Sequence, residues 1–350
     1  MQRPINHALR QNPPCVSVIV VNYRKLKDTD DCLRSLLMTD YPYFEVIVVD
    51  NASKDGSAEF ISGHYPNVKV HENKENLGYA GGNNSALRLV DEKSKYVAFV
   101  NNDVIFESQW LSELVRVAES DPTVGACQPK ILQFFNPRKF EYNGACGGFL
   151  DIYGYPCLRG RVLDYIEEDK GQYDPLSEIF WAGGCALFVR KDVLTKTGLF
   201  DETFFMHFEE IDLCWRIRLA GGKIFSVPSS IIYHKGGETK ISKKMLFLKY
   251  RNNVFMLIKN YSLSNLLKRL PIRAVFDASS LAKNGTVPLE AYLWILKNFG
   301  KIYDHRMYVQ TNVRKISDQQ IAKLMIKKPV PLMYLKGYKT FDQFQRCNHD

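Results

Sequence analysis

Short β-branched runs alternate with helical patterns through the first third of this chain, and the alternation limits the folds available to it. Runs at 15–21 and 44–49 have the continuous apolar character of strands buried on both faces of a parallel sheet. Runs at 67–70 and 96–100 are similar, and a helical pattern at about 82–90 lies between them. Such alternation predicts an α/β fold in which helices flank a mostly parallel, doubly wound sheet with right-handed crossovers.

The pattern changes after a predicted helix at about 108–119. Residues 134–178 are rich in Gly, Tyr, Pro and Asp and have weak periodicity, which predicts a long, partly irregular excursion across a site. The elements predicted next are a strand at 184–190, a helix at 208–220 and strands at 223–227 and 230–234. From about residue 243 onward we predict a mostly helical extension.

Charge is unevenly distributed along the chain. The whole sequence has 47 Lys and Arg against 38 Asp and Glu, but residues 241–350 alone have 20 against 6. The first 240 residues are therefore slightly acidic, with 27 against 32. A basic region of this kind indicates an anionic partner, either nucleic acid or an acidic membrane surface. The alternative is a solvated surface that maintains solubility.

Other classes of protein are disfavoured by composition. No apolar run approaches the length of about 18 residues that a transmembrane helix requires. Residues 1–14 are polar and lack the apolar core of a signal peptide. The eight cysteines form no C-x-x-C pair, and several lie in apolar segments, where reduced cysteine acts as a small hydrophobe. We therefore expect a cytoplasmic, reducing location.

Polar clusters follow three of the predicted strands. They contain Asn22, then Asp50 and Asn51, then the run 101–103. Each cluster alone is typical of a helix-capping turn. In a parallel sheet, however, the carboxyl ends of the strands meet at one edge, where ligands bind. We therefore expect the three clusters to converge on one crevice.

Two further segments have the composition of ligand sites. The segment 75–84 is rich in glycine and could open a helix N-terminus that favours anions, or be a plain turn. Asn102 and Asp103 offer hard oxygen ligands of the kind that suit Mg²⁺ or Mn²⁺ on a diphosphate. His234 could add a nitrogen ligand; alone, it would be an ordinary loop residue.

Three carboxylates, those of Glu209, Glu210 and Asp212, crowd the first turn of the helix predicted at 208–220, and three phenylalanines flank them. Carboxylates near a helix N-terminus are stabilised by its dipole, so a capping role is one interpretation. Crowding and apolar surroundings also raise carboxyl pKa values, which prepares a general base.

These motifs, in this order, resemble those of the inverting glycosyltransferases of family 2, which have the GT-A fold, and particularly their rhamnosyltransferase-like branch. The resemblance extends from Val16 to about Asn253. It rests on the segments 18–23, 48–57, 76–83, 99–103, 181–187 and 234–237 and on the carboxylate helix.

The resemblance implies a role for each matching residue. In the nucleotide-sugar site it places Asn22, Asp50, Asn51, Asn76, Gly81, Asn101 and Asn102. In the sugar and acceptor region it places Trp181, Gly183 and Gly184. Asp103 and His234 would be metal ligands, and Glu210 the catalytic base. Arg251 could reach the diphosphate, or be an ordinary arginine on a helix surface.

The chain departs from the family pattern at two positions. Asn101 stands where the D-x-D element has its first carboxylate, which leaves strict metal dependence open. Glu210 stands where relatives often have aspartate, so Glu209 or Asp212 remains a possible substitute base.

We therefore predict a GT-A domain at 15–240, with a nucleotide-binding half at 15–130 and an acceptor and catalytic half at 131–240, and a basic helical region at 241–350. The enzyme would transfer a sugar, from dTDP-rhamnose or a UDP-sugar, to a hydroxyl of a glycan or lipid-linked glycan in cell-surface polysaccharide synthesis. The alternatives are a nucleotidyltransferase and a non-catalytic carbohydrate-binding protein. The C-terminal region would contact an anionic membrane or form a homodimer, and we expect no nucleic-acid partner.

Overall fold

The computed structural model describes residues 12–236 and 242–349. Three of the sequence predictions lie wholly or partly outside this range. They concern the polar segment at the N-terminus, Gly237 of the motif that begins at His234, and the domain boundary at 240.

The described parts of the chain contain thirteen strands and fourteen α-helices. The strands are β1 (Cys15–Asn22), β2 (Phe44–Asp50), β3 (Lys69–Glu72), β4 (Ser94–Asn101), β5 (Val104–Phe106), β6 (Val124–Gln133), β7 (Gly148–Leu150), β8 (Pro156–Leu158), β9 (Arg161–Val162), β10 (Tyr165–Ile166), β11 (Ser177–Glu178), β12 (Ala186–Arg190) and β13 (Lys223–His234). The helices are α1 (Leu26–Leu36), α2 (Ser57–His64), α3 (Gly78–Ala86), α4 (Trp110–Ser120), α5 (Lys191–Thr197), α6 (Glu209–Leu219), α7 (Lys243–Asn260), α8 (Leu263–Ser279), α9 (Leu281–Asn284), α10 (Val287–Lys297), α11 (Phe299–Tyr308), α12 (Asp318–Ala322), α13 (Val330–Leu335) and α14 (Phe341–His349).

The first four strands form the parallel half of the main sheet, in the order β4, β1, β2, β3. The register places Asn22 opposite Asp50 and Val21 opposite Asn101, so the three polar clusters lie at one edge, as predicted. Alternate residues of β1 enter two separate hydrophobic clusters, which explains why these strands are apolar throughout.

The other half of the sheet is mixed. Strand β12 pairs antiparallel with both β4 and β6, and β6 pairs parallel with β13. The two strands predicted at 223–227 and 230–234 are a single strand, β13, whose register shifts between Val227 and Ile231. Pro228 lies at this shift and has no N–H to donate to a neighbouring strand.

The predicted excursion at 134–178 is more regular than expected. It contains a small antiparallel sheet of β7 to β10. Strand β11, near the end of the excursion, joins the main sheet beside β13. The excursion is attached to the main sheet at two places, through β11 and through backbone hydrogen bonds between residues 139–145 and β6.

The C-terminal region is helical, as predicted. Helix α7 packs against α6, α10 and α11, so this region is continuous with the sheet domain. In the parts of the chain that the structure describes, no helix is both long and apolar enough to cross a bilayer. The seven cysteines whose side chains are described are all unpaired.

Candidate active site

Asn22 connects the three strand ends. Its Nδ2 donates to Asp50 Oδ2 at 2.8 Å and to Ser53 Oγ at 3.2 Å. Its Oδ1 accepts from Thr29 Oγ1 at 2.9 Å and from Asn102 Nδ2 at 3.3 Å. Because Asn22 is fully buried, the prediction that it lines the nucleotide pocket is corrected. It acts as a hub that fixes the position of Asp50.

Asn51 holds the glycine-rich segment against the end of β2. Its Nδ2 donates to Asn76 Oδ1 and Gly78 O, each at 3.0 Å, and its Oδ1 accepts from Leu77 N at 3.1 Å. Gly78 has a φ of +71°, and a Cβ there would lie 2.3 Å from Phe205 O. This position therefore requires glycine, because the start of α3 touches the loop before the carboxylate helix.

A cavity of about 430 Å³ opens beside the ends of β2 and β3. Its wall consists of Asp50, Ala52, Lys54, Asp55, Gly56, Ser57, Ala58, Glu59, Glu72, Asn73 and Lys74. This volume is in the range of small-molecule sites. The cavity lies at the strand edge where the sequence predicted nucleotide binding.

The other residues predicted for the nucleotide-sugar site surround this edge. Asn76 is exposed, whereas Gly81 is buried inside α3, where a Cβ would lie 2.7 Å from Leu77 Cβ. Asn101 is partly exposed, and its backbone N–H donates to Cys185 O at 3.0 Å. Asn101 thus links the end of β4 to the residue before β12.

Asp103 and His234 face each other at the same end of the sheet. His234 Nε2 lies 2.9 Å from Asp103 Oδ1, and its Nδ1 lies 3.2 Å from Glu141 Oε2. The two contacts are ion pairs, and both ring nitrogens and Asp103 Oδ1 are buried polar atoms without a well-formed hydrogen bond. Such atoms are suited to a further ligand.

A divalent cation fits this arrangement. Burial lowers the pKa of His234, but the carboxylates of Asp103 and Glu141 raise it to about 10, so the surroundings stabilise positive charge. Within the described residues, no group of three or more His, Cys, Asp and Glu side chains is arranged to hold a metal ion. A cation held by Asp103 and His234 would therefore need further ligands from a substrate.

Glu209 and Glu210 begin α6. Glu209 is buried and Glu210 is partly exposed, and one carboxylate oxygen of each is buried without a hydrogen-bond partner. Burial raises the pKa of Glu210 to about 7. Burial, together with the Glu210 carboxylate, raises the pKa of Glu209 well above its ordinary value. A reachable carboxylate with a pKa near neutrality is suited to general-base chemistry, which favours Glu210.

The loop before α6 has a strained backbone. Phe205, His207 and Phe208 have φ values of +64°, +69° and +73°. This region costs a non-glycine residue roughly 1–2 kcal/mol. Such a run persists only when its surroundings hold it in place.

Asn252 on α7 holds this loop. Its side chain is fully buried, and its Nδ2 lies 3.0 Å from Phe204 O, 2.9 Å from Met206 O and 2.7 Å from His207 O. One amide group therefore contacts three carbonyl groups of the strained segment. The position of the carboxylates in α6 depends on this contact.

Arg251 strengthens the same contact, and its predicted role is corrected. Its Nη2 donates to Thr203 O at 2.6 Å and Phe204 O at 3.0 Å, and its Nε donates to Asn252 Oδ1 at 2.8 Å. Its Cζ lies 4.7 Å from the centre of the Trp294 ring. The guanidinium is thus buried and hydrogen-bonded to carbonyl groups of the loop, so it does not face the donor diphosphate as predicted.

Asp212 is also corrected as a substitute base. It is fully buried; its Oδ2 lies 2.9 Å from both Arg216 Nε and Lys259 Nζ, and its Oδ1 accepts from Asn260 Nδ2 at 2.8 Å. Lys259 also contacts Asp201 Oδ2 at 2.6 Å. Asp212 therefore joins α6 to α7 in a buried charge network, out of reach of an acceptor.

The comparisons with known proteins agree with this geometry. The model of the family described as Glycosyl transferase family 2 matches residues 17–194, more than half of the chain. The chain belongs to this family. The predicted resemblance is confirmed.

Curated relatives of this glycosyltransferase include two rhamnosyltransferases. An N-acetylglucosaminyl-diphospho-decaprenol L-rhamnosyltransferase of Mycobacterium tuberculosis is 27% identical over 240 residues, which cover 63% of this chain and 76% of the relative. Rhamnosyltransferase WbbL of Escherichia coli is 25% identical over 240 residues, covering 63% and 83%. These relatives support the rhamnosyltransferase-like branch.

Solved structures show the same fold. A structure of GalNAc-T7 with UDP, GalNAc and Mn²⁺ superposes with a TM-score of 0.62 at 14% identity, covering 89% of this chain and 56% of that one. A structure of Staphylococcus aureus TarS in complex with UDP-GlcNAc has a TM-score of 0.51 at 17% identity, covering 91% and 86%. The predicted GT-A fold is therefore confirmed.

Trp181 of the glycosyltransferase lies deeper than predicted. Its side chain is 6% exposed, and its Nε1 donates to Phe149 O at 3.0 Å. A Cβ on Gly148 would lie 2.1 Å from the indole ring, so the ring packs directly on that glycine. Trp181 therefore anchors the excursion to the core, and its predicted contact with the acceptor is corrected.

Gly183 and Gly184 lie just before β12 and bond to residues of β6 and α3. Gly183 N donates to Gln128 Oε1 at 2.6 Å in the buried interior. Gly184 O accepts from Tyr79 OH at 2.6 Å, and the carboxylates of Glu209 and Glu210 act electrostatically on the same tyrosine. Gly184 is therefore linked through Tyr79 to the two carboxylates.

Sequence reasoning missed Glu141 and Asn252. Glu141 lies in the excursion, about ninety residues before His234, and no motif relates the two. Asn252 follows Arg251 in a helical segment, and its sequence context suggests only an exposed amide. Its signal was the adjacent pair Asn252 and Asn253, because two amides in an otherwise apolar helical run need buried partners.

Proposed function

We propose that the protein is an inverting glycosyltransferase that moves a sugar from a nucleoside-diphosphate sugar to a hydroxyl of a glycan or lipid-linked glycan. The observation that carries this proposal is the pair Glu209 and Glu210, buried without full hydrogen bonding at the start of α6. Their loop touches α3, whose first turn Asn51 ties to the nucleotide edge.

Glu210 acts as the base. It takes the proton of the acceptor hydroxyl while that oxygen bonds to the anomeric carbon. The bond between this carbon and the donor diphosphate breaks, and its electron pair leaves with the nucleoside diphosphate. One displacement inverts the anomeric centre. Burial and the Glu210 carboxylate raise the pKa of the neighbouring Glu209, so Glu209 favours its neutral form when Glu210 is ionised.

Asp103 Oδ1 and His234 Nε2 would hold Mg²⁺ or Mn²⁺. Bound there, the ion supplies positive charge that stabilises the diphosphate as it leaves. The solved structures of GalNAc-T7 and of a Pyrobaculum calidifontis mannosyltransferase contain Mn²⁺, which supports a divalent ion in this chain. Glu141 holds His234 from the other side of its ring.

The relatives indicate which donor and acceptor to propose. Two of them are rhamnosyltransferases, which favours dTDP-rhamnose as donor; the UDP in the GalNAc-T7 and TarS structures keeps a UDP-sugar as the second candidate. The mycobacterial relative is named for an acceptor in which a sugar is carried on a lipid diphosphate. We propose an acceptor of that kind, in cell-surface polysaccharide synthesis.

Release of the nucleotide from a panel of dTDP-, UDP- and GDP-sugars, with and without Mn²⁺, tests the proposal. We expect one nucleotide class to be turned over and Glu210→Gln to abolish turnover while nucleotide binding persists. A nucleotidyltransferase would release pyrophosphate instead, and a non-catalytic carbohydrate-binding protein would turn over none of the panel. Either result contradicts the proposal.

A further inference from the structure

Arg161 and Tyr142 form a rigid stack on the excursion. The Arg161 Cζ lies 3.2 Å from the centre of the Tyr142 ring. The guanidinium is fixed there by its Nε, which donates to Leu163 O at 2.7 Å, and by its Nη1, which donates to Tyr142 O at 3.1 Å. The cation is therefore oriented by the fold, while the tyrosine remains about half exposed, at 48%.

Lys249 of α7 completes this cluster from the other side. Its positive charge acts on the Tyr142 side chain. Burial raises the pKa of Tyr142, but the charges of Lys249 and Arg161 lower it below its ordinary value. The nearby carboxylate of Glu141 is paired with His234. In the described parts of the chain, neither Arg161 nor Lys249 forms a salt bridge with a carboxylate.

Lys249 lies on α7 three residues before Asn252, whose side chain holds the loop that precedes the proposed base. The charge of Lys249 acts on His207, two residues before Glu209; burial and this charge lower the pKa of His207 to about 4. His207 Nε2 is buried without a hydrogen-bond partner. Lys244, on the same helix, lies 5.1 Å from the centre of the Phe205 ring. Positive charge therefore surrounds one side of the strained loop.

A fixed guanidinium, an ammonium and a phenol without a carboxylate partner suit a phosphate group, because arginine and lysine bind phosphate with short, charge-assisted hydrogen bonds. We propose that Arg161, Lys249 and Tyr142 bind a phosphate group of the acceptor substrate. The proposal rests on the proposed function, since the acceptor must reach Glu210. Phosphate could also come from the donor, but the donor diphosphate is already assigned to Asp103 and His234.

Inorganic pyrophosphate is the direct probe. Calorimetric titration of the wild type, with Mn²⁺ and a saturating nucleoside diphosphate present, should reveal pyrophosphate binding that persists beside the nucleotide. The double variant Arg161→Gln/Lys249→Gln should bind at least about tenfold more weakly, because two charge-assisted hydrogen bonds are lost. Lys243→Gln removes a charge from the same helix at a residue paired with Glu290, and it should bind as the wild type does. Pyrophosphate binding only in the absence of nucleotide would overturn the proposal.

Kinetics distinguish the two sources of phosphate. A sugar on a lipid diphosphate and the same sugar as an alkyl glycoside should be compared as acceptors. We expect the double variant to raise KM for the phosphorylated acceptor by about tenfold or more, and to leave KM for the glycoside and for the donor unchanged. A rise in donor KM instead would assign the cluster to the donor diphosphate and overturn the proposal.

The two proposals can fail separately. If the wild type transfers sugar to neither acceptor, the proposed function fails, while the pyrophosphate titration still tests the cluster. Tyr142→Phe guards against a folding artefact, because it retains the ring under Arg161 and removes only the hydroxyl. We expect this variant to weaken pyrophosphate binding less than the double variant does. Unchanged pyrophosphate binding in the double variant, with circular dichroism like that of the wild type, would also refute the proposal that this cluster binds phosphate.

Discussion

Glu210 has the access and the proton affinity that a general base requires, whereas Glu209 has only the second. Replacement of Glu210 by Gln keeps the size of the side chain and removes the ability to accept a proton. We expect turnover to fall by about 10² to 10⁴-fold, with nucleotide affinity unchanged in a calorimetric titration. Turnover near that of the wild type would show that another residue is the base.

The pH dependence follows from the raised pKa of Glu210. Since the base must be ionised, kcat/KM should rise with pH and level off above the Glu210 pKa of about 7, falling about tenfold per pH unit on the acid side. The folded-state pKa exceeds the ordinary value of 4.5, so ionisation of this carboxyl lowers stability as pH rises from about 4.5 to about 7. Glu210→Gln should therefore unfold at a higher denaturant concentration than the wild type at pH 8. A profile without a break near neutrality would contradict this assignment.

Asp103→Asn tests the proposed cation site without relying on activity. The change keeps the shape of the side chain but removes the charge that a divalent ion requires. We expect Mn²⁺ binding, measured by electron paramagnetic resonance in the presence of nucleotide, to weaken by about tenfold or more. Glu107→Gln is a matched control, because Glu107 bonds to Tyr233 on β13, away from His234 Nε2. Equal Mn²⁺ affinity in the two variants would contradict the site.

At the scale of elements, α7 controls the catalytic loop through Asn252. Asn252→Ala leaves the carbonyls of Phe204, Met206 and His207 without this donor, at a cost of about 1–3 kcal/mol in the free energy of unfolding. We also expect kcat to fall more than KM rises, since the strained loop that carries Glu210 loses its support. Denaturant unfolding and steady-state kinetics measure the two effects.

Asn298→Ala is the control for this variant. The Asn298 side chain bonds to the backbone Trp294 O at 2.8 Å inside the C-terminal helices, so its loss removes none of the hydrogen bonds that Asn252 and Arg251 make to the loop. If both variants reduce kcat equally, the effect is one of general destabilisation, and the positioning role of Asn252 is wrong.

The elements differed in how well the sequence predicted them. The strands β1 to β4 were located within two residues at most ends, because continuous apolar runs flanked by polar clusters mark buried parallel strands. Strand β6 was missed, since Pro129 and the polar residues Gln128 and Lys130 interrupt its apolar pattern. The small strands of the excursion are two or three residues long, which is too short for an alternating apolar pattern to be recognised in the sequence.

The site was predicted by residue type more accurately than by role. Convergence of the polar clusters followed from the parallel sheet, and the crowding of three carboxylates marked the start of α6, whereas the choice of Glu210 among them came from the family resemblance. Asn22, Trp181 and Arg251 were assigned to ligands but are buried and bonded within the protein. Position along a chain does not reveal which way a side chain points. A polar residue near a site can hydrogen-bond to the protein backbone instead of to the ligand.

At the scale of the whole molecule, the C-terminal helices expose apolar side chains in a basic setting. Helix α8 exposes Leu263, Leu267, Ile272 and Val275, and α10 with α11 exposes Leu289, Leu293, Leu296, Phe299, Tyr303 and Met307. We propose that these faces contact an anionic membrane, where apolar side chains enter the interface and lysines meet lipid headgroups. A homodimer through the same region would bring two strongly basic surfaces together, which disfavours it.

Sedimentation with vesicles tests this contact. We expect the protein to bind vesicles that contain phosphatidylserine and to lose most of this binding in Lys268→Glu/Lys297→Glu, since each basic residue contributes about 1 kcal/mol near such a surface. Lys170→Glu, an equal charge change in the excursion, is the control. Arg273 is unsuitable because it is buried against Asp277, with 3.0 Å between Nε and Oδ2. Unchanged partitioning, or a dimer that the double variant disrupts, would contradict the membrane contact.

The Asn22 hub has a consequence for engineering the donor preference. Its hydrogen bonds to Asp50, Ser53, Thr29 and Asn102 are complete before any nucleotide arrives. A substitution in this hub would disturb three strand ends at once, so it cannot retune one contact alone. The positions that can be changed without touching the hub are those of the cavity wall, such as Lys54, Glu72 and Lys74. A library directed at that wall should therefore change nucleotide choice while leaving the scaffold beneath it intact.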